Sequence, residues 1–146
     1  MSKLLNDFWE WAQTSPDEFA KNGGKLKNGQ EDFLFPKYDQ LIGDAQNQIQ
    51  TKKTSDSTIT FFLMVMAIDN EEETLLDFAA SDLSDETILQ LCLKGVRFQQ
   101  PHARWQIAEL IKRRQPQNWK SLLSVLQNDE NEYVRKRAKN NDSRDQ

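Results

Sequence analysis

Cysteine and histidine are almost missing from this chain, which has one of each, Cys92 and His102. A lone cysteine excludes an internal disulfide. One sulfur and one imidazole are too few for a nitrogen–sulfur zinc site within one chain, so no metal is expected. A catalytic histidine needs an orienting acid and a nucleophile, and the sequence has neither a Gly-x-Ser-x-Gly turn nor a Cys–His signature. His102 follows Pro101 at an expected helix start, where a positive charge is disfavoured. Cys92 stands among Leu89, Leu91 and Leu93 and reads as a small core residue. No run of eighteen apolar residues occurs, so no membrane span is expected. The opening MSKLLNDFWEWAQ carries acids and two tryptophans where a signal peptide has a plain apolar run. These absences point to a cytoplasmic, non-catalytic protein without a cofactor.

Glycine and proline are sparse, at five and four, and they act as punctuation. Ser15-Pro16-Asp17-Glu18 reads as a capping box with proline at the first helical position. Asn22-Gly23-Gly24 ends that short helix. The loop KNGGKLKNGQ holds Lys21, Lys25 and Lys27, but no Gly-x-x-x-x-Gly-Lys-Ser/Thr pattern, so it is not a phosphate loop. Pro36 is expected to open a helix toward Gln50, with Leu41, Ile42, Ala45 and Ile49 inward. Gly43 within it costs on the order of 1 kcal/mol relative to alanine, or marks a close helix contact. Gly95 reads as a left-handed cap.

What is plentiful is helical periodicity. Leu4, Leu5, Phe8, Trp9 and Ala12 form one stripe, and Trp11 falls beside it as a packing aromatic. Thr58–Ile68, TITFFLMVMAI, is the most apolar segment. Its β-branched start also fits a buried strand; its length and helical flanks favour a buried helix. Asn70 is expected to cap the next helix with Glu73 three residues on, and Asp82-Leu83-Ser84-Asp85-Glu86 to start the one after in the same way. Six to nine helices are expected in all.

Pro101–Ala138 is the best-organised stretch. Ala103, Ile107, Leu110 and Ile111 mark one helix, and Trp119, Leu122, Leu123 and Leu126 the next. Asp129 with Glu132 then reads as a capping box for a last helix carrying Val134, Arg137 and Ala138. Arg104 and Arg135 are 31 residues apart, as are Leu91 and Leu122. A period near thirty built of paired helices marks helical solenoids.

LLSVLQNDENEYVRKRA resembles the HEAT repeat: an apolar helix (Leu122–Leu126), a turn with Asp129, then Val134-Arg135 and Ala138 opening a second helix. PHARWQIAELI is similar to the second helix of a preceding unit, with Ala103-Arg104 in the Val-Arg place. The resemblance covers about residues 84–140, and Val96–Gln100 departs from it in lacking an Asp turn. It implies an all-α fold, a short right-handed solenoid of antiparallel helix pairs. One domain is expected over 1–140, with 1–55 as an irregular helical cap, 56–140 as HEAT-like pairs and 141–146 as a flexible tail. In such repeats the arginine after valine often serves internal turns, which implies that role for Arg104 and Arg135. The family mostly comprises protein-binding scaffolds. One branch holds DNA glycosylases with a Trp-lined cleft, an acid and an arginine; Trp105 and Trp119 are present here, with no acid identified beside them.

Charge is lopsided. Residues 1–93 hold 7 basic and 17 acidic side chains, and residues 94–146 hold 12 and 6, giving −10 and +6 within a net −4. Such a division predicts either attraction within the molecule or a surface of two signs. The expected partner is a basic protein, as for an immunity-type inhibitor of a cationic toxin or nuclease. Asp69, Glu71, Glu72, Glu73 and Asp77 are its expected contact, with exposed aromatics as anchors. The alternative is nucleic acid bound by Lys112, Arg113, Arg114, Lys136 and Arg137.

Overall fold

The chain is described here by a computed structural model covering residues 2–52 and 55–139. The expected tail, 141–146, lies outside the described residues. Among the described residues every regular element is helical, with nine α-helices and two 3-10 turns. None of these helices is long and apolar enough to cross a membrane.

The first helices are set by their caps. Ser2 accepts the Leu5 N–H at the start of α1 (Lys3–Ala12), and Ser15 accepts the Glu18 N–H at the start of α2 (Pro16–Lys21), with Pro16 in the first turn. The stripe read from α1 is buried as Leu5, Phe8, Trp9 and Ala12. Trp11 packs beside it, with ring centroids 5.8 Å from Phe8 and 5.5 Å from Phe35. Two 3-10 turns, Lys27–Gly29 and Asp32–Leu34, then lead to α3 (Tyr38–Thr51). Helix α3 starts two residues after Pro36 and buries Leu41, Ile42, Ala45 and Ile49 as expected. Gly43 marks no close contact: a Cβ there meets nothing within 4 Å. Gly43→Ala is therefore expected to stabilise the protein by about 0.5–1 kcal/mol, readable in a urea midpoint shifted upward at constant slope.

The segment 58–68 belongs to a helix, α4 (Asp56–Ile68), capped by Ser55 on Thr58 N–H. It is apolar all round and buried from Phe62 to Ile68, which is what a helix surrounded by others requires. Helices α5 (Thr74–Asp82) and α6 (Asp85–Gly95) follow, the latter capped by Ser84 on Thr87 N–H at 3.2 Å. Gly95 is not a left-handed cap. It is the last residue of α6 and lets that helix approach α7 (Pro101–Arg114), where a Cβ would stand 2.6 Å from Ile107 Cγ1.

Helix α7 is the pivot. It packs against α4, α5 and α6 on one side, and against α8 (Trp119–Gln127) and α9 (Glu132–Ala138) on the other. Six consecutive residues, Ala103–Ala108, are buried. One continuous core runs from Leu5 to Ala138, so the N-terminal helices share it with the last pair.

The 31-residue spacing has a structural counterpart. The Arg104 guanidinium donates to the Phe98 carbonyl at 2.7 Å, and Arg135 donates to the Asp129 carbonyl at 2.7 Å, each six residues back. Arg104 also reaches forward to both Asp129 carboxylate oxygens, at 2.8 and 3.1 Å. Asp129 is thereby drawn away from the capping expected of it. Asn131 caps α9 instead, accepting the Val134 N–H at 3.0 Å.

Candidate functional site

The turn between α4 and α5 is the most unusual feature of the surface. Asp69 begins it with its side chain turned inward. The Tyr38 hydroxyl donates to one of its oxygens and the Leu75 N–H donates to the other at 2.7 Å. That second bond caps α5, whose formal first cap, Glu73, has a left-handed backbone and no side-chain bond to the helix. Asn70 does not cap α5 as expected. Its amide donates to the carbonyls of Ala67 (3.0 Å) and Ile68 (3.2 Å), closing the end of α4. Its backbone N–H donates to Asp32 at 3.1 Å.

That last bond ties the acidic turn to the 3-10 turn 38 residues earlier. Asp32 also accepts its neighbour Phe33 N–H at 2.7 Å and is only 4% exposed. Three residues cannot bury every apolar side chain of Phe33-Leu34-Phe35. Phe35 goes into the core, leaving Phe33 41% and Leu34 59% exposed. Two large apolar side chains thus stand on the segment fastened to Asn70, which Glu71 and Glu72, both exposed, follow in sequence.

Beside this junction is a cavity of about 360 Å³. Glu31, Asp32, Asn70 and Glu71 form one wall, and Gly23, Gly24, Lys25 and His102 the other. His102 Nδ1 accepts the Trp105 indole N–H at 2.9 Å. Its proton is therefore on Nε2, at the ring edge that lies against Gly24. A larger groove of about 680 Å³, between α1 and α4, has an apolar floor of Leu5, Trp9, Phe61 and Met64. Its acid, Asp56, is already paired with Lys94 at 2.6 Å.

Burial governs the titration of the junction. It pushes Asp32 up to about 7, against the lowering effect of the Asn70 and Phe33 N–H groups and with help from Asp69 and Glu71. Burial likewise raises Asp69 to about 6, although the Tyr38, Leu75 and Thr74 donors oppose it. The Tyr38 phenol is pushed up by burial and by its bond to Asp69. His102 is pushed down by burial, opposed by its bond to Gly24. A carboxyl with a raised folded-state pKa stabilises fully below its unfolded value near 4, and that contribution is lost as pH rises through 6 to 7. A depressed histidine works the other way, losing its contribution as pH falls through its ordinary value near 6.5. Two carboxyls outweigh one imidazole. The melting temperature is expected to rise by roughly 4 °C, about 1 kcal/mol, between pH 8 and pH 5.5. A melt series flat across that range would contradict the buried-acid assignment.

The five acidic positions read from the sequence divide. Glu71 and Glu72 are exposed together, and Glu73 is half-buried at the start of α5. Asp69 is 0% exposed, so it supports the turn from inside rather than meeting a partner. Asp77 lies further along α5 and is paired with Arg113 at 3.0 Å. The basic set divides too. Arg114 bonds Asp85 at 2.8 Å and the Ala79 carbonyl at 3.1 Å. Lys112 donates to the Arg137 carbonyl at 2.7 Å. Arg137 bonds Glu109 at 2.6 Å and lies 4.4 Å over the Trp105 ring. Lys136 is exposed on α9. Glu109 is thus the acid near Trp105, but that tryptophan is only 4% exposed beneath Arg137. The charge asymmetry is partly spent inside the molecule, since Lys94–Asp56, Arg113–Asp77 and Arg114–Asp85 all join the basic half to the acidic half.

Sequence reasoning missed Phe33, Leu34, Asp32 and the place of His102. The available signal was the apolar run Phe33–Phe35 packed between glycine loop and proline, too short to hide all its side chains. Comparison of the chain with protein-family models, with curated proteins and with solved structures finds no match.

Proposed function

We propose that this chain is a non-catalytic protein-binding module. It docks a basic protein on the surface made by Phe33, Leu34, Glu71 and Glu72. The observation that carries the reading is the pair of exposed apolar side chains on a segment hydrogen-bonded to an acidic turn. Apolar anchors beside charge give both affinity and steering: truncating an anchor costs on the order of 2 kcal/mol of binding, and rim charges set the rate of encounter. The bonds of Arg104 and Arg135 to carbonyls six residues back support reading α6–α9 as two HEAT-like pairs. A scaffold of that kind with an acidic docking surface suits a cognate inhibitor of a cationic toxin or nuclease.

The test is capture from host lysate, treated with nuclease, using the wild type and two variants. Phe33→Ala/Leu34→Ala should weaken capture of one basic protein by tenfold or more, on the order of 2 kcal/mol per lost anchor. Glu71→Lys/Glu72→Lys should slow its association. Capture that survives both variants would refute this surface. Capture abolished by nuclease alone would move the site to Lys112, Arg113, Arg114, Lys136 and Arg137.

A further inference from the structure

We infer that the cavity between the glycine loop and the acidic turn is a subsite for a single guanidinium side chain, presented by the basic partner proposed above and resting on that reading. Three carboxylates, Glu31, Asp32 and Glu71, line it. The ion pairs among the described residues engage Asp7, Asp56, Asp77, Asp85, Glu109 and Asp129, and none engages these three. Asp32 is the telling member. It is nearly fully buried, its two oxygens hold only one backbone N–H each, and each keeps a further lone-pair direction. A carboxylate withdrawn from water without a counter-charge is unfavourable, and a cation entering beside it relieves that cost.

The walls suit a flat cation. Gly23, Gly24 and Gly29 contribute no side chains and have positive φ, so the loop turns sharply. The His102 and Phe19 side chains line the cavity as well. The cavity, about 360 Å³, is at the small end of the range of roughly 300–1,000 Å³ for ligand sites, enough for one long side chain. A divalent metal does not fit, since no three His, Cys, Asp or Glu among the described residues are grouped to hold one. An anion does not fit either, with Lys25 the sole basic side chain of the lining against three carboxylates. A guanidinium offers five N–H donors in a plane, matching acceptors spread around a slot better than the compact ammonium of lysine.

Titration supports this geometry. The groups facing the slot are Lys25, Glu31, Asp32, Glu71 and His102, with Asp69 behind Asp32. Burial raises Asp32 to about 7, so guanidinium binding displaces a proton from it near neutrality. Affinity therefore rises from pH 6 to pH 8.

The experiment is amide NMR of the intact protein titrated with N-acetyl-arginine amide, and with N-acetyl-citrulline amide as its neutral counterpart. Gly24, Asp32 and Asn70 should shift saturably with the arginine compound and at least tenfold more weakly with citrulline. Glu31→Gln/Glu71→Gln, both exposed, should cut arginine affinity at least tenfold without lowering the melting temperature. Equal responses to the two compounds, no saturable shift, or indifference to the double substitution would overturn the subsite. Phe33→Ala/Leu34→Ala should leave the arginine response intact. Loss of partner capture in that variant without any arginine response sinks the subsite alone, and an arginine response without a captured basic protein sinks the module reading alone.

Discussion

Arg104→Ala is expected to lower stability by about 3–5 kcal/mol, the usual consequence of removing one partner of a buried ion pair. The side chains of Arg104 and Asp129 are 9% and 8% exposed. The guanidinium makes three bonds at once, two to Asp129 and one to the Phe98 carbonyl. Truncation strands a carboxylate and a carbonyl where water does not reach them. For a chain of this length the melting temperature should fall by roughly 12–20 °C. Arg104→Lys should recover little, because an ammonium cannot reproduce the planar fork. Replacing the pair with Met at 104 and Leu at 129 should cost much less than either truncation, since no charge is then left unpaired. Urea unfolding followed by tryptophan fluorescence distinguishes these outcomes. A loss below about 1 kcal/mol for Arg104→Ala would show that the pair is in effect solvated.

Gly24→Ala should be nearly as severe, at about 2–4 kcal/mol. Its φ is +76°, and a Cβ would stand 1.8 Å from His102 Cδ2. The imidazole has little freedom to retreat, held by the Trp105 indole on Nδ1 and packed between the Phe19 and Trp105 rings. Gly23→Ala is the control. Its φ is +67° with nothing within 4 Å, so it should cost only the left-handed backbone penalty of about 1–2 kcal/mol. The difference between the two isolates the steric clash. In Gly24→Ala the displaced His102 should titrate closer to its ordinary value, as followed by its ring proton shifts. Equal melts for the two variants would show that the ring moves aside freely.

The helices were legible because their signals are local and repeated. The Leu5–Ala12 stripe, the serine cap at 15, the helix start within Asp82–Glu86, Pro101 and the buried Phe62–Ile68 run lie where periodicity and capping chemistry put them. The errors come from residues whose partners are distant in sequence. Asn70 and Asp129 both satisfy a capping pattern, but Asn70 is taken by Asp32 and the end of α4, and Asp129 by Arg104, 25 residues away. Gly95 resembles a cap, yet its hydrogen is needed for contact with Ile107. At the site, Glu71 and Glu72 were legible as exposed acids. Asp69 was not separable from them by composition; only the Tyr38 hydroxyl, 31 residues earlier, shows that it faces inward. No periodic signal marks the exposure of Phe33 and Leu34, since a single 3-10 turn has no repeating face.

The contacts around His102 form a side-chain relay across the molecule. The glycine loop touches His102, His102 accepts from Trp105, Arg137 covers the Trp105 ring, and Glu109 holds Arg137. Residues more than a hundred positions apart are thus in mechanical series. His102 and Trp105 on α7 are therefore where the N-terminal glycine loop and the last helix meet side chain to side chain.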